Sequence, residues 1–252
     1  MTKHKHKPDP NKLTFLQHAR ELRQRILLSL ASILLIFFLL MVFSEKILSL
    51  LTLPLKNLGY QLHIIKIHEA FFSTLRISFF TSVIVSSPIW LWMLIGFVIP
   101  ALSKKQKIIF FFISIFCIIF LISGFLFSYY LLIPISLRYL LSFAKEELTS
   151  VISINYYLDF FLILFFATGV GFQLPLILLF LCKINVVHYK LLAKGRRWAV
   201  IIILIVGGIL TPPDIISQVG LAVPLYLLYE LGIALGFIFT RKHSQKDKHE
   251  KI

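Results

Sequence analysis

The sequence predicts an all-α membrane protein, a bundle of six transmembrane helices with both chain ends in the cytoplasm. Three observations carry this expectation. Of 252 residues, 58% are hydrophobic and only 15% charged, with a mean hydropathy of +0.89, a balance foreign to a soluble domain of this length. Uncharged stretches recur near the roughly 20 residues that cross a hydrocarbon core of about 30 Å as a helix. The basic residues collect in alternate connections: 20 of 26 fall before Ile26, in Lys104 to Lys107, in Lys183 to Arg197, or from Arg241 onward. A cytoplasmic excess of Lys and Arg sets orientation.

Residues 1–13 form a basic tail expected to be disordered, 14–240 hold the bundle, and 241–252 form a second such tail. The first span is 26–43. No small-x-small cleavage pattern follows it at Val42-Phe43-Ser44-Glu45, so it reads as a permanent helix and not a signal peptide. The second, 77–100, contains Pro88, which removes a backbone donor and predicts a kink there. The third, 108–137, is long enough to tilt or run past the membrane surface. The fourth, 160–182, is interrupted by Gly169, Gly171 and Pro175.

The last two differ. Residues 198–213 offer only 16 uncharged positions, and 215–240 contain Glu230. Between them Thr211-Pro212-Pro213-Asp214 must turn, because consecutive prolines cannot continue a helix. The pair reads as a short, tight hairpin that thins the bilayer or leaves a cavity on one side. Outside, Lys46 to Leu55 is amphipathic and Tyr139 to Ser150 has the length for a second short helix, two segments able to cap the outer face.

Composition also excludes functions. The net charge of +15 sits beside long apolar runs, which favours anionic lipid headgroups over nucleic acid as neighbours. Cys117 and Cys182 lie in apolar runs far apart and read as buried thiols. His4 and His6 sit on a solvated tail, so no metal site is expected. No Ser/His or Cys/His set and no aspartate pair supports catalysis, so neither an enzyme nor a cofactor is expected.

Four groups of residues stand out. Before the first span, Glu21 lies one helical turn from His18 and Arg25. It reads either as a surface pair with Arg25 or as a carboxylate held for a cationic partner, positioned by Arg23 and Arg25. Gln173 lies at mid-membrane depth, where an amide needs a partner or water. It is either glue between helices or part of a cavity wall. Glu230 is the one ionisable group deep in a span, at a cost of about 2.5–3.5 kcal/mol if central, and reads as a structural or cavity-lining group. Gly232 and Gly236 suggest close helix packing.

HARELRQR at 18–25, HEAFFSTLRI at 68–77, SSPIWLWMLIGFVIPAL at 86–102, GVGFQLPL at 169–176 and LTPPDIISQ at 210–218 together resemble the TatC family. This is the membrane core and signal-peptide receptor of the twin-arginine protein translocase. The resemblance runs in register from about Leu16 to Gly236. It implies a concave, glove-shaped six-helix bundle with short fifth and sixth helices in the bacterial cytoplasmic (inner) membrane. It also implies a recognition role that makes and breaks no bond.

The resemblance assigns residues as well. Glu21 matches the carboxylate thought to meet the signal's paired arginines, with Arg23 and His18 beside it. Many relatives carry a second glutamate where this chain has Gln106, and a buried cavity glutamate where it has Gln173. Thr211, Asp214 and Gln218 fall where single-span partner subunits of the TatA/TatB type dock. Glu69, Phe71 and Phe72 match an outer-loop element, and Pro54 and Pro88 match structural prolines. Expected partners are twin-arginine signal peptides of folded proteins, the single-span subunits, lipids and further copies of the chain. The rival expectation is a small-molecule or ion transporter, suggested by Glu230, Gln173 and the broken fourth span.

Overall fold

The structure, a computed structural model, describes residues 15–98, 104–143, 151–183, 186–211 and 214–249; within these, the side chains of 15–18, 95, 97–98, 104–110, 112 and 239–249 lie outside the description. The expected tail 1–13 and the outer segment 144–150 also lie outside it.

Helix α1 (Phe15–Val42) has 28 residues, a length of about 42 Å. It leans on α3 and α4 and turns Leu35, Phe38 and Val42 outward, as a lipid-facing helix must. Helix α2 (Ser44–Lys56) is the amphipathic segment expected in the outer cap, burying Leu51, Thr52, Pro54 and Leu55. Pro54 has no N–H to offer the carbonyl of Leu50. The Tyr129 hydroxyl donates to that oxygen instead, at 2.9 Å, and Tyr157 donates to the next carbonyl, Leu51, at 2.5 Å. The proline thus turns an internal helix bond into a tie across the fold.

Two residues, β1 (Leu62–His63), pair in parallel with β2 (Ile152–Ser153), joining the two halves of the cap. Helices α3 (Glu69–Val85) and α4 (Ser87–Val98) form the second span, bent by 52°. The bend falls at Ser86, two residues before Pro88, because a proline is tolerated in the first turn of the new helix and not inside the old one. The Trp90 indole donates to the carbonyl of Val83 at 2.9 Å, satisfying backbone at the break. The helix also begins eight residues earlier than 77, since Glu69 and Arg76 stand outside the uncharged run that defined the expectation.

Helix α5 (Lys104–Phe127) passes through a π turn (Ser128–Leu132) into α6 (Ile133–Leu141). Pro134, just past the π turn, gives the physical reason for that widened ring. Helix α7 (Ile154–Gly171) starts on Ser153, whose hydroxyl accepts from the Asn155 N–H. It breaks at Phe172–Gln173 and resumes as α8 (Leu174–Lys183). The short α9 (Tyr189–Lys194) leads to α10 (Arg196–Leu210). Last comes α11 (Ile215–His249), 35 residues long.

Two expectations change here. The sixth helix is not short, and the backbone of 241–249 continues α11 where a disordered tail was expected. Charge defines a span but does not stop a helix: Lys, Gln and Arg are good helix formers. The stretches Ala19–Val42, Ile113–Ser142, Ile154–Lys183 and Ile215–Ile238 are each long and apolar enough to cross a membrane, and the bent α3–α4 pair supplies a fifth. Helix α10, with 15 residues and about 22 Å, falls short of that measure.

The core sits where α3, α7, the π turn and α11 meet, with Ile77, Leu132, Leu158, Phe161, Leu164 and Leu221 essentially inaccessible. Helix α11 packs along α8, and Gly232 makes this possible: a Cβ there would come within 2.7 Å of Leu178. The Gly232/Gly236 spacing therefore marks a close helix contact.

Candidate functional site

Glu21 and Arg25 face the same side of α1, one turn apart. Oε1 of Glu21 accepts from Arg25 Nη2 at 2.7 Å and from Nε at 3.1 Å, while Arg25 Nη1 donates to the carbonyl of Met93 on α4 at 3.2 Å. Helix α4 admits the guanidinium because residue 96 is glycine: a Cβ there would lie 2.2 Å from Arg25 Nη1. The pair is about one-quarter exposed, and among the described residues Oε2 of Glu21 has no donor. Arg23 is exposed one turn-face away. His18 and Gln106 lie on α1 and α5 with side chains outside the described residues. The structure thus brings Glu21 and Arg25 together, at a helix end that carries free carboxylate capacity.

Gln173 sits at the α7–α8 break and donates through Nε2 to the carbonyl of Cys117 on α5 at 2.9 Å. It ties two spans together across the interruption that Pro175 forces. Glu230 is held by a fork: Oε2 accepts from Arg196 Nη2 at 2.8 Å, Oε1 from Arg196 Nε at 2.7 Å, and Tyr226 adds its hydroxyl at 3.0 Å. Two parallel bonds between a guanidinium and a carboxylate are the strong geometry for this pair. Tyr229 completes the clamp by donating to the carbonyl of Leu192.

An apolar cleft of about 720 Å³ runs along α7 and α10 and is walled by residues such as Ile163, Phe166, Val170, Ile202 and Val206. Gln173 and Glu230, expected to line a cavity, are not among its lining residues. Gln173 Nε2 and both carboxylate oxygens of Glu230 are instead engaged in contacts with other helices, and both residues are only half-buried. At one end of the cleft Arg76 and Asp159 form an ion pair.

At the α10–α11 turn, Asp214 caps α11: its Oδ2 accepts from the Ser217 N–H at 2.6 Å. Gln218 donates back to the carbonyl of Leu204 at 2.9 Å, lying against Gly207 and Gly208. Thr211 Oγ1, Asp214 Oδ1 and Ser217 Oγ are buried without a partner among the described residues. Three polar atoms without a partner among the described residues thus gather at one turn, where they leave hydrogen-bonding capacity in reserve. Pro212 and Pro213 lie outside the described residues.

In the cap formed by α2 and the β1–β2 pair, Glu69 is buried and accepts from the Ile65 N–H at 2.8 Å and from the Ser153 hydroxyl at 3.4 Å. Phe71 and Phe72, beside it, are more than half exposed.

Residues 17–224 match the family model for the Sec-independent protein translocase protein TatC. The chain belongs to the TatC family. A TatC protein of Desulforapulum autotrophicum is 31% identical over 96% of this chain and 90% of its own length; one of Campylobacter jejuni is 33% identical over 86% and 91%. The fold superimposes on a crystal structure of the twin-arginine translocase receptor TatC with a TM-score of 0.79, at 31% identity, covering 88% of this chain and 99% of that one. The chain is accordingly a multi-pass protein of the inner membrane and a subunit of the twin-arginine translocase, a non-enzymatic transport machine.

Membership of this family turns against the transporter alternative. So does Glu230, whose charge is matched by Arg196 and is not left to bind a solute ion.

Two ion pairs escape a reading of the sequence span by span. Arg76 and Asp159 each precede an uncharged run, and Arg196 precedes another, so each looks like a boundary marker. The first pair did leave a signal: opposite charges, each immediately ahead of one of two alternate uncharged runs.

Proposed function

We propose that this chain binds twin-arginine signal peptides at the amino-terminal end of α1 and nucleates assembly of the translocon. In this reading 14–240 form one six-span bundle with both ends in the cytoplasm. The short α10 serves as a fifth span across thinned bilayer, and 1–13 and the end of the chain remain cytoplasmic. The observation that carries the reading is the state of Glu21: one carboxylate oxygen is engaged by Arg25 within its own helix and the other has no donor among the described residues. An incoming guanidinium meets a carboxylate already placed, oriented and partly exposed. A charge-assisted bond from that guanidinium to the open oxygen contributes about 1.5–3 kcal/mol.

Arg23 and His18 would flank the bound arginines, and Gln106 would contribute a neutral acceptor where relatives offer a second charge. Thr211, Asp214 and Gln218 would form the contact for single-span partner subunits, a role supported by the unmet polar atoms at that turn. Further copies of the chain and membrane lipid complete the expected surroundings, and proton-motive force supplies the energy.

Site-specific photocrosslinking of a twin-arginine signal peptide to the full-length protein in membranes tests the central claim. The Glu21→Ala variant is expected to insert normally and to lose the crosslink. Wild-type crosslinking by that variant would overturn the assignment.

A further inference from the structure

We propose that the cleft between α7 and α10 is a binding site for one zwitterionic phospholipid, with its acyl chain in the cleft and its headgroup bridging Arg76 and Asp159. The cleft wall on α7 is a single stripe, Leu162, Ile163, Phe166, Ala167 and Val170, continuing from Asp159 at helical spacing. From Asp159 to Val170 the helix rises about 16 Å. Half of a hydrocarbon core of about 30 Å is about 15 Å, so the cleft is one leaflet deep, with its only charged residues at one end.

The opening faces hydrocarbon. Ile163, Val170, Ile202 and Val206 are all between two-fifths and two-thirds exposed, and an apolar hollow open to the bilayer fills with what surrounds it.

The headgroup follows from charge. The Arg76–Asp159 ion pair leaves the arginine side chain about one-third exposed and the aspartate about half exposed. The guanidinium has five donors, and the second carboxylate oxygen still accepts. A phosphate on Arg76 and a primary ammonium on Asp159 satisfy both. A purely anionic headgroup gains the first contact and is repelled by the second. A quaternary ammonium brings charge without an N–H to donate.

The test uses the full-length protein in nanodiscs containing phosphatidylethanolamine, phosphatidylcholine or phosphatidylglycerol, each with a photoreactive group on one acyl chain. Crosslinks are then mapped by mass spectrometry. Phosphatidylethanolamine is expected to label 163–170 and 202–206 about tenfold over phosphatidylglycerol, with phosphatidylcholine between them. Arg76→Gln and Asp159→Asn should remove that preference, and Ala167→Trp, which fills the cleft, should remove the labelling itself. Labelling spread evenly over lipid-facing surface such as Leu35 and Phe38, with no headgroup preference, would overturn the proposal. So would crosslinks there to a co-purified polypeptide in place of lipid. Should Ala167→Trp fail to fold, Asp159→Asn decides, because it keeps the side-chain shape: a variant that melts like the parent and keeps the tenfold preference also overturns it.

Discussion

Two glutamates at opposite ends of the molecule are put to opposite uses. Glu69, in the cap, is buried, accepts from the Ile65 N–H and the Ser153 hydroxyl, and joins the loop before α3 to the strand before α7. Glu21, on α1, is partly exposed, keeps one oxygen without a donor among the described residues, and is paired only with Arg25 four residues along its own helix. A carboxylate whose oxygens are both spent on backbone and hydroxyl groups holds a fold together. One held by a single local partner keeps capacity for a guest. The difference lies in what surrounds each side chain, since the residue type is the same.

Substitution can break this comparison. The largest separation is expected in peptide binding: Glu21→Ala should weaken a twin-arginine peptide by about 100-fold, the equivalent of about 2.7 kcal/mol, measured by titration of the purified protein in nanodiscs. The Glu69→Ala variant should bind as the parent does.

Melting reverses the order. Loss of Glu69 strands the Ile65 N–H and the hydroxyl of buried Ser153 and should lower the melting temperature by about 5 °C. Loss of Glu21 removes only a partly exposed i,i+4 pair, which contributes about 0.5 kcal/mol or less. Equal melting shifts for the two variants would end the distinction.

Arg25→Ala sharpens it further. If Arg25 competes with the guest for Glu21, its removal should tighten twin-arginine peptide binding two- to fivefold, by about 1 kcal/mol or less. Weaker binding would mean that Arg25 orients the carboxylate and does not block it. The smallest effect is expected at the start of α5: Gln106→Glu should raise the ratio of twin-arginine to twin-lysine binding by about twofold. An unchanged ratio would remove this position from the site.

Much of this was legible in the residues. Apolar runs gave the four long spans and the bent α3–α4 pair, because transfer into hydrocarbon depends on composition summed over a window, which a sequence states directly. The amphipathic Lys46 to Leu55 segment became α2 for the same reason. The Glu21–Arg25 pair follows from helical spacing alone. Least legible were partners distant along the chain. Arg196 finds Glu230 across 34 residues and Arg76 finds Asp159 across 83, and nothing local to either residue names the other. Gln173 was compatible with glue or with a cavity wall until the carbonyl of Cys117 appeared beside it.

Sequence alone therefore determined that this chain lives in a membrane, where its helices run and which family it joins. Burial in hydrocarbon, helix periodicity and motif order are all one-dimensional properties. Only the tertiary structure decided which polar groups are consumed and which remain available, because a hydrogen bond is a matter of ångströms between atoms that folding alone brings together.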